Sequence, residues 1–412
     1  MKSSALVSIS ILATALVAGA CTAGSGTTSG GDDNGAGGSL GEGGSSSGGN
    51  NTTTDDTTSG QFMDGVTSTG SGGPCASGPN DDADMDGFTG AEGDCNDCDP
   101  NVNPGAIEVL TVDGAGGGGG ATPADEDCDG EIDNVPMPCD SGIAMNTSAA
   151  IDGARAIELC HQATGPKDWG VMAADWVRAN GSPAAVTVAM GVLPDFGPNV
   201  HPRAGENMLG ISSGAARDTT DPGFCSHACS YYGGGSAPAG FPQDVEGCPV
   251  STTINDDVAL RVKLRAPTNA TGLKFDFKFY SEEYPVFVCT TFNDQFIALV
   301  DPPPMGSING NVSFDSQNNP VSVNIAFFDV CSSGPNCTSG PNELVGTDEY
   351  PDNGATSWLE TTSPITGGEE FSIQFTIWDT GDTIYDSTTL IDNFEWIANG
   401  GTVNVGTIKP PQ

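Results

Sequence analysis

The 412 residues carry 54 acidic side chains against 12 basic ones, a formal net charge of −42. A surface of that sign repels phosphate and excludes nucleic acid as a partner. The length allows one sizeable domain beside small modules, and 13 cysteines point to an oxidising compartment.

Met1 to Cys21 reads as an export signal, with Lys2 followed by an apolar run, Ala5 to Val17, too short to span a bilayer as a mature helix. Ala18-Gly19-Ala20-Cys21 resembles a lipobox, which implies a lipid on Cys21 and a membrane as partner through it. The neutral Thr22 resembles outer-membrane sorting. An ordinary secretory signal cleaved nearby is the alternative, and either one makes the mature chain extracytoplasmic. Residues 22–79 are rich in Gly, Ser and Thr without a run of large apolar side chains, so they are expected to be a disordered tether.

Residues 80–134 concentrate carboxylates without a single Lys or Arg. Asp82, Asp84 and Asp86 precede Gly87, and Asp125, Asp127 and Asp129 precede Gly130. Alternate acids can turn inward onto one cation while the glycine allows the sharp turn, and hard oxygen ligands in such number favour calcium. Asp82, Asp84, Asp86, Asp125, Asp127 and Asp129 are the expected core ligands. Glu92, Asp94, Asp97, Asp99 and Asp133 are expected to complete the shells. Gly93 stands where an EF-hand has its closing Glu, and no amphipathic helix flanks the stretch. The expectation is therefore a helix-poor calcium-loop module tied by disulfides through Cys95, Cys98 and Cys128, as against a solvated acidic linker. Asp82 to Thr89, Asp94 to Glu108 and Asp127 to Asp133 resemble a metal-binding motif of secreted myxobacterial proteins, itself similar to thrombospondin type 3 calcium repeats. This chain departs from that motif by an insertion between Glu108 and Asp125, which leaves open whether the two halves share ions.

From residue 135 to about 400 the composition becomes globular, with a short tail at 401–412. A helix is expected over Ser148 to Gln162, where Ile151, Ala154, Ile157 and Cys160 recur at helical spacing and Thr147 or Ser148 can cap. After it, period-2 alternation marks strands with one buried face. It runs through Val186 to Met190, Val258 to Leu264, Leu273 to Phe279, Val321 to Phe327 and Phe371 to Ile377. Phe296 to Val300 reads as a central strand. The fold class is all-β, an antiparallel sandwich with one or two helices.

Setting Cys21 aside leaves an even number of cysteines and room for up to six bridges. Near-neighbour candidates are Cys139 with Cys160, Cys331 with Cys337, and pairs within Cys225, Cys229 and Cys248. A zinc site at Cys225-Ser226-His227-Ala228-Cys229 is the weaker alternative in an oxidising compartment.

Phe279 to Pro285 with Phe292 to Phe296, and Asp382 to Asp386 with Leu390 to Phe394, resemble the choice-of-anchor L domain of bacterial surface proteins, and so do Gly191 to Phe196 and Gly205 to Arg217. The resemblance spans roughly Val135 to Ala398. It implies a β-rich extracellular domain, here anchored through the N-terminal lipid, and transfers no chemistry.

Glu282, Glu283, Asp294, Asp392 and Asn393 lie in apolar frames with few bases nearby, so one expectation is a second cation or ligand site built from them in the sandwich. The alternative is that Asp and Asn cap turns there. No His-Glu-x-x-His is present, and no enzyme is expected. The functional expectation is a calcium-binding, lipid-anchored surface protein in adhesion, with a glycan or a surface protein as partner. A carbohydrate-binding module using Tyr231, Tyr232, Trp358 or Trp378 and a secreted hydrolase are the alternatives. Trp378 is expected in the core.

Overall fold

The structure, a computed structural model, describes residues 77–110, 123–249, 251–325, 327–334, 336–398 and 401–410. The expected export signal, Cys21, nearly all of the tether and the glycine run Gly116–Gly120 lie outside the described residues.

Alternating apolar residues determine the architecture. One short helix, α1 (Ala150–Arg155), precedes the strands. They are β1 (Gly170–Val177), β2 (Met190–Leu193), β3 (Met208–Ser212), β4 (Ile254–Arg265), β5 (Gly272–Ser281), β6 (Gln295–Asp301), β7 (Val321–Ser322), β8 (Phe328–Cys331), β9 (Gly354–Thr356), β10 (Leu359–Pro364), β11 (Glu370–Thr380), β12 (Ser387–Ile397) and β13 (Gly406–Ile408). They form two antiparallel sheets, ordered β1-β4-β11-β6-β7 and β13-β10-β5-β12-β3-β2, with β9 paired to the end of β5 and β8 to β9.

The two sheets meet through the aromatic face of β5. Phe275 sits edge-on to Phe375 of β11 at 5.0 Å and Phe277 lies 5.0 Å from Phe296 of β6. Each fully buried Phe of this kind contributes about 1.5–3 kcal/mol. In β4 the expected alternation holds: Val258, Leu260, Val262 and Leu264 are buried, while Arg261, Lys263 and Arg265 lie toward solvent.

β5 departs from the one-face expectation. Its other face is also covered, by a second cluster containing Phe196, Met208, Val330, Leu344 and Leu390 around Tyr280. Lys278, fully buried there, donates to the Thr356 carbonyl at 2.6 Å and pairs with Glu343. Burial lowers the Lys278 pKa against the pull of Glu343. Trp378 is fully enclosed as expected, beneath Phe241.

Several expected elements shrink. The helix stops at Arg155 instead of Gln162, because Glu158 turns left-handed (φ 65°) and Cys160 is bonded back to Cys139. Thr147 acts at its start, accepting from the Ala149 N–H at 3.2 Å. Val186 and Val188 precede β2 instead of joining it, and Val323 and Asn324 form a turn after the two residues of β7. Alternation there serves packing beneath loops, since Val323 and Ile325 are buried. β6, expected to be central, has only the short β7 outside it; β4 and β11 hold the middle of that sheet.

The acidic segment packs on the sandwich. Asn103 Oδ1 accepts from Thr268 Oγ1 at 2.8 Å, and Ile107 and Asn269 exchange two hydrogen bonds of 3.0 and 2.7 Å. A Cβ on Gly105 would lie 2.9–3.0 Å from Thr268 and Phe88, so glycine permits this approach. Lys167 donates to the Gly87 carbonyl at 2.6 Å and stacks over Phe88.

Candidate metal centres

The two acidic loops fold alike. The Gly87 N–H reaches Asp82 Oδ2 at 3.2 Å, and the Gly130 N–H reaches Asp125 Oδ2 at 3.0 Å. Asp86 N–H donates to Asp84, and Asp129 N–H to Asp127. Phe88 N–H and Glu131 N–H each donate at 2.7 Å to the third Asp of their loop. Both glycines have positive φ, 97° and 92°, as do Met85 and Cys128 at the matching position before them. These backbone bonds occupy one oxygen of each Asp and leave the other to point elsewhere.

In the first loop, Asp84 brings a carboxylate oxygen within 4.8 Å of oxygens from Asp82 and Asp86, and likewise of oxygens from Asp94 and Asp97. Asp84 Oδ2, Asp86 Oδ2 and Asp94 Oδ2 are buried and accept no hydrogen bond, and the Asp94 residue is only 8% exposed. Buried carboxylate oxygens without donors are costly unless a cation serves them. Burial first, then the neighbouring carboxylates, push Asp86 up to about 6 and raise Asp84 and Asp94. Two oxygen triads meeting at Asp84 offer the hard donors that calcium favours.

The second loop takes a different ligand set from the expected one. Glu108, from before the insertion, joins Asp125 and Asp127 within the same 4.8 Å. Its Oε1 accepts from the Glu126 and Asp127 N–H groups at 3.0 and 3.3 Å, and its Oε2 from Asp133 N–H at 2.6 Å. Asp125 Oδ1 is buried without a donor. The halves are thus joined across the insertion, and the Cys95–Cys128 disulfide ties them again. The signal for Glu108 was present in sequence, as the acid closing the Asp94 to Glu108 stretch.

Three expected shell residues, Glu92, Asp99 and Asp133, and one expected core ligand, Asp129, fall outside these clusters. Glu92 faces solvent and pairs with Lys167 at 2.7 Å, which lowers its pKa. Asp99 accepts from the backbone and side chain of Asn101, and Asp129 from Glu131 N–H and Asn134. Asp133 contributes its backbone N–H to Glu108. Short polar side chains at turns satisfy nearby backbone groups before they reach a distant ion.

The single site expected in the sandwich divides into three places. Glu283 and Asp294 do come together, joined by Asp379, which alternation had hidden inside β11. Glu282, adjacent to Glu283, turns the other way to His227 Nδ1 at 3.1 Å and lies near Asp348. Burial, then Asp348 and Glu349, push Glu282 up to about 11. Asp392 accepts N–H bonds from Arg203, Ala204 and Asn393, and Asn393 (φ 53°) donates its side chain to Asp276 at 3.2 Å. Asp392 and Asn393 therefore act at the β12 bulge as backbone partners, away from Glu283.

Five bridges join described cysteines. They are Cys95–Cys128, Cys139–Cys160, Cys225–Cys229, Cys248–Cys289 and Cys331–Cys337. Cys248 pairs outside its expected trio, and the bond between Cys225 and Cys229 removes the thiolates that a zinc site there would need.

Where the acidic module meets the sandwich there is a cleft of about 910 Å³, whose walls include Ile107, Glu108, Leu110, Trp169 and Trp396. Trp169 is stacked under His161 at 4.2 Å and meets Trp396 edge-on. Of the expected aromatic platform, Trp358 packs on the second core cluster and the Tyr232 hydroxyl donates to Ala185 O.

Residues 243–394 match the choice-of-anchor L domain family. The match covers β4 to most of β12 and leaves out Gly191 to Phe196 and Gly205 to Arg217. No curated protein matches the chain. Among solved structures, the K1 cleaved adhesin domain of Lys-gingipain from Porphyromonas gingivalis W83 aligns over 57% of this chain and 96% of its own, at 13% identity and a TM-score of 0.23. The enzymatically active domain of tailspike protein 4 of bacteriophage CBA120 aligns over 57% of this chain and 20% of its own, at 10% identity and a TM-score of 0.19. At these scores neither defines the present fold.

Proposed function

We propose that this is a calcium-binding surface protein: an extracellular β-sandwich held to a membrane by a lipid on Cys21, acting as a binding protein in adhesion and not as an enzyme. The carrying observation is the first loop, where Asp84, Asp86 and Asp94 each bury a donor-free oxygen and two carboxylate triads, Asp82/Asp84/Asp86 and Asp84/Asp94/Asp97, meet at Asp84. The choice-of-anchor L match supports the extracellular setting, and among the described residues no helix is long and apolar enough to cross a membrane. The second loop adds a further calcium site through Glu108, Asp125 and Asp127. Extracellular calcium is abundant, so dissociation constants of roughly 10⁻⁴–10⁻³ M suffice.

Calorimetric titration of the oxidised chain with calcium tests this reading. Heat in the millimolar range is expected, lost for the first site in Asp84→Asn with Asp94→Asn. No heat in the parent returns the stretch to an acidic linker. Cys21→Ala should shift the protein from the detergent phase to the aqueous phase; continued partition into detergent would refute the lipid anchor.

A second reading is favoured by the cleft beside Glu108. Half-buried Trp169 and Trp396 offer the apolar faces on which sugar rings stack, so the adhesive ligand is a glycan under this reading. A glycan array with and without calcium, repeated with Trp169→Ala, tests it: binding that survives the substitution places the ligand elsewhere.

A further inference from the structure

The sandwich has one strongly acidic end, where β5 and β12 of one sheet meet β6 and β11 of the other. Glu283 follows β5 by two residues, Asp294 immediately precedes β6, and Asp379 lies near the end of β11. A register shift between Ile377 and Asp379 against β4 re-aims the chain at that point. The three residues are 1%, 0% and 1% exposed, and each offers a carboxylate oxygen within 4.8 Å of the others.

Their hydrogen bonding is uneven. Asp294 Oδ1 accepts from Thr380 N–H at 2.9 Å and Oδ2 from Ser387 Oγ at 2.6 Å, the pattern of an ionised carboxylate. Glu283 Oε2 accepts from Asp294 N–H at 3.4 Å. Both oxygens of Asp379 are enclosed, and neither accepts a hydrogen bond. The charges acting on the three are one another and Asp382, all negative. Three buried carboxyls without a counter-charge require either protons or a cation. A proton on Asp379 can be donated to Asp294, yet Asp294 is still held in its charged form by Thr380 N–H and Ser387 Oγ, with Glu283 beside it and no counter-charge.

We propose that Glu283, Asp294 and Asp379 bind a divalent cation, calcium by the hardness of its oxygen donors, which staples the two sheets together at this end of the sandwich. The site is separate from the acidic loops and does not rest on their binding calcium. A cation here joins the chain beyond β5 in one sheet to the paired β6 and β11 of the other, so its effect is on the stability of the sandwich.

The test uses the whole exported chain with its loops disabled by Asp84→Asn, Asp94→Asn, Glu108→Gln and Asp125→Asn. Equilibrium dialysis with calcium should still find one ion per chain, and calcium should still raise the melting temperature. Adding Asp379→Asn should abolish both. In the parent, Asp379→Asn alone should lower the ion count by one, a comparison that stands even if the loop variant folds poorly. The proposal is overturned if the loop-disabled chain, folded by circular dichroism, binds no calcium, or if Asp379→Asn leaves the ion count of the parent unchanged. Loss of all calcium by the loop changes would uphold the loop reading and sink this one. Retention of a single ion in a parent whose loops bind none would do the reverse.

Discussion

Asp82, Asp84 and Asp86 reach one another within a single turn of chain, whereas Glu283, Asp294 and Asp379 are gathered from the ends of three strands. Both groups concentrate negative charge, yet they are supported differently. The loops stand on backbone hydrogen bonds, a disulfide and, on the present reading, calcium, with Phe88 among their few buried apolar side chains. The sandwich end stands on a large aromatic core that holds its carboxylates in place whether or not an ion is bound. A local acidic motif can therefore lose its order when its ion is removed. A buried acidic cluster keeps its position and expresses the missing ion as electrostatic strain.

The largest effect should come from breaking the support of the sandwich. Phe277→Ala removes a fully buried ring packed on Phe296 and should cost about 3–5 kcal/mol, read as a lowered melting temperature of the sandwich with or without loop calcium. A cost below about 1 kcal/mol would mean the two sheets are not held by this aromatic face.

Breaking the loop support should be smaller and confined to the module. Replacing Cys95 and Cys128 by Ser opens a bridge between residues 33 apart and should cost about 2–4 kcal/mol. Limited proteolysis should then cut within 80–134 first, and added calcium should slow the cutting. Equal protection in the two forms would show that the bridge does not order the loops.

A third change sharpens the contrast through pH. Glu158, beside Asp392 and Asp140, is pushed up to about 9 by burial and then by the charge of Asp392. Its Oε1 and an oxygen of Asp140 both lie 2.7 Å from where a Cβ on Gly205 would be, so glycine (φ 62°) keeps that space clear. A carboxyl raised in the folded state holds more protons there than in the unfolded chain. Its contribution to stability is complete below its usual value near 4.5 and is lost as pH rises toward 9. The melting temperature should therefore fall between pH 6 and pH 9, and Glu158→Gln should flatten that fall. An unchanged slope would show that Glu158 is already ionised in the folded protein.

The smallest effect tests the ligand assignment itself. Glu92→Gln breaks an exposed pair with Lys167 and should leave calcium affinity unchanged, whereas Asp94→Asn should remove the first-loop site. A calorimetric loss of affinity in Glu92→Gln would return Glu92 to the shell.

The sequence by itself determined the all-β class, the two acidic loops, and the buried faces of β4, β5 and β11. Those signals are local: a period of two along a strand and a period of two before a glycine are both read within a few residues. Its near-neighbour cysteine candidates include the Cys139–Cys160 and Cys331–Cys337 bridges that form, while Cys225, Cys229 and Cys248 stayed open. Tertiary structure decided the rest. Glu108 rather than Asp129 joins Asp125 and Asp127, because the chain returns to the same place after the insertion while Asp129 is held by Glu131 and Asn134. Adjacent Glu282 and Glu283 go to different clusters as the chain turns beyond the end of β5. Asp379 stands two residues past the alternating run Phe371 to Ile377 and carries no sequence signal of its own. Only the bulge in β11, and the arrival of β6 and the chain beyond β5 at the same end, reveal it as a buried carboxyl without a donor. Contacts between residues far apart in sequence are set by how strands cross the core, and no spacing along the chain encodes them.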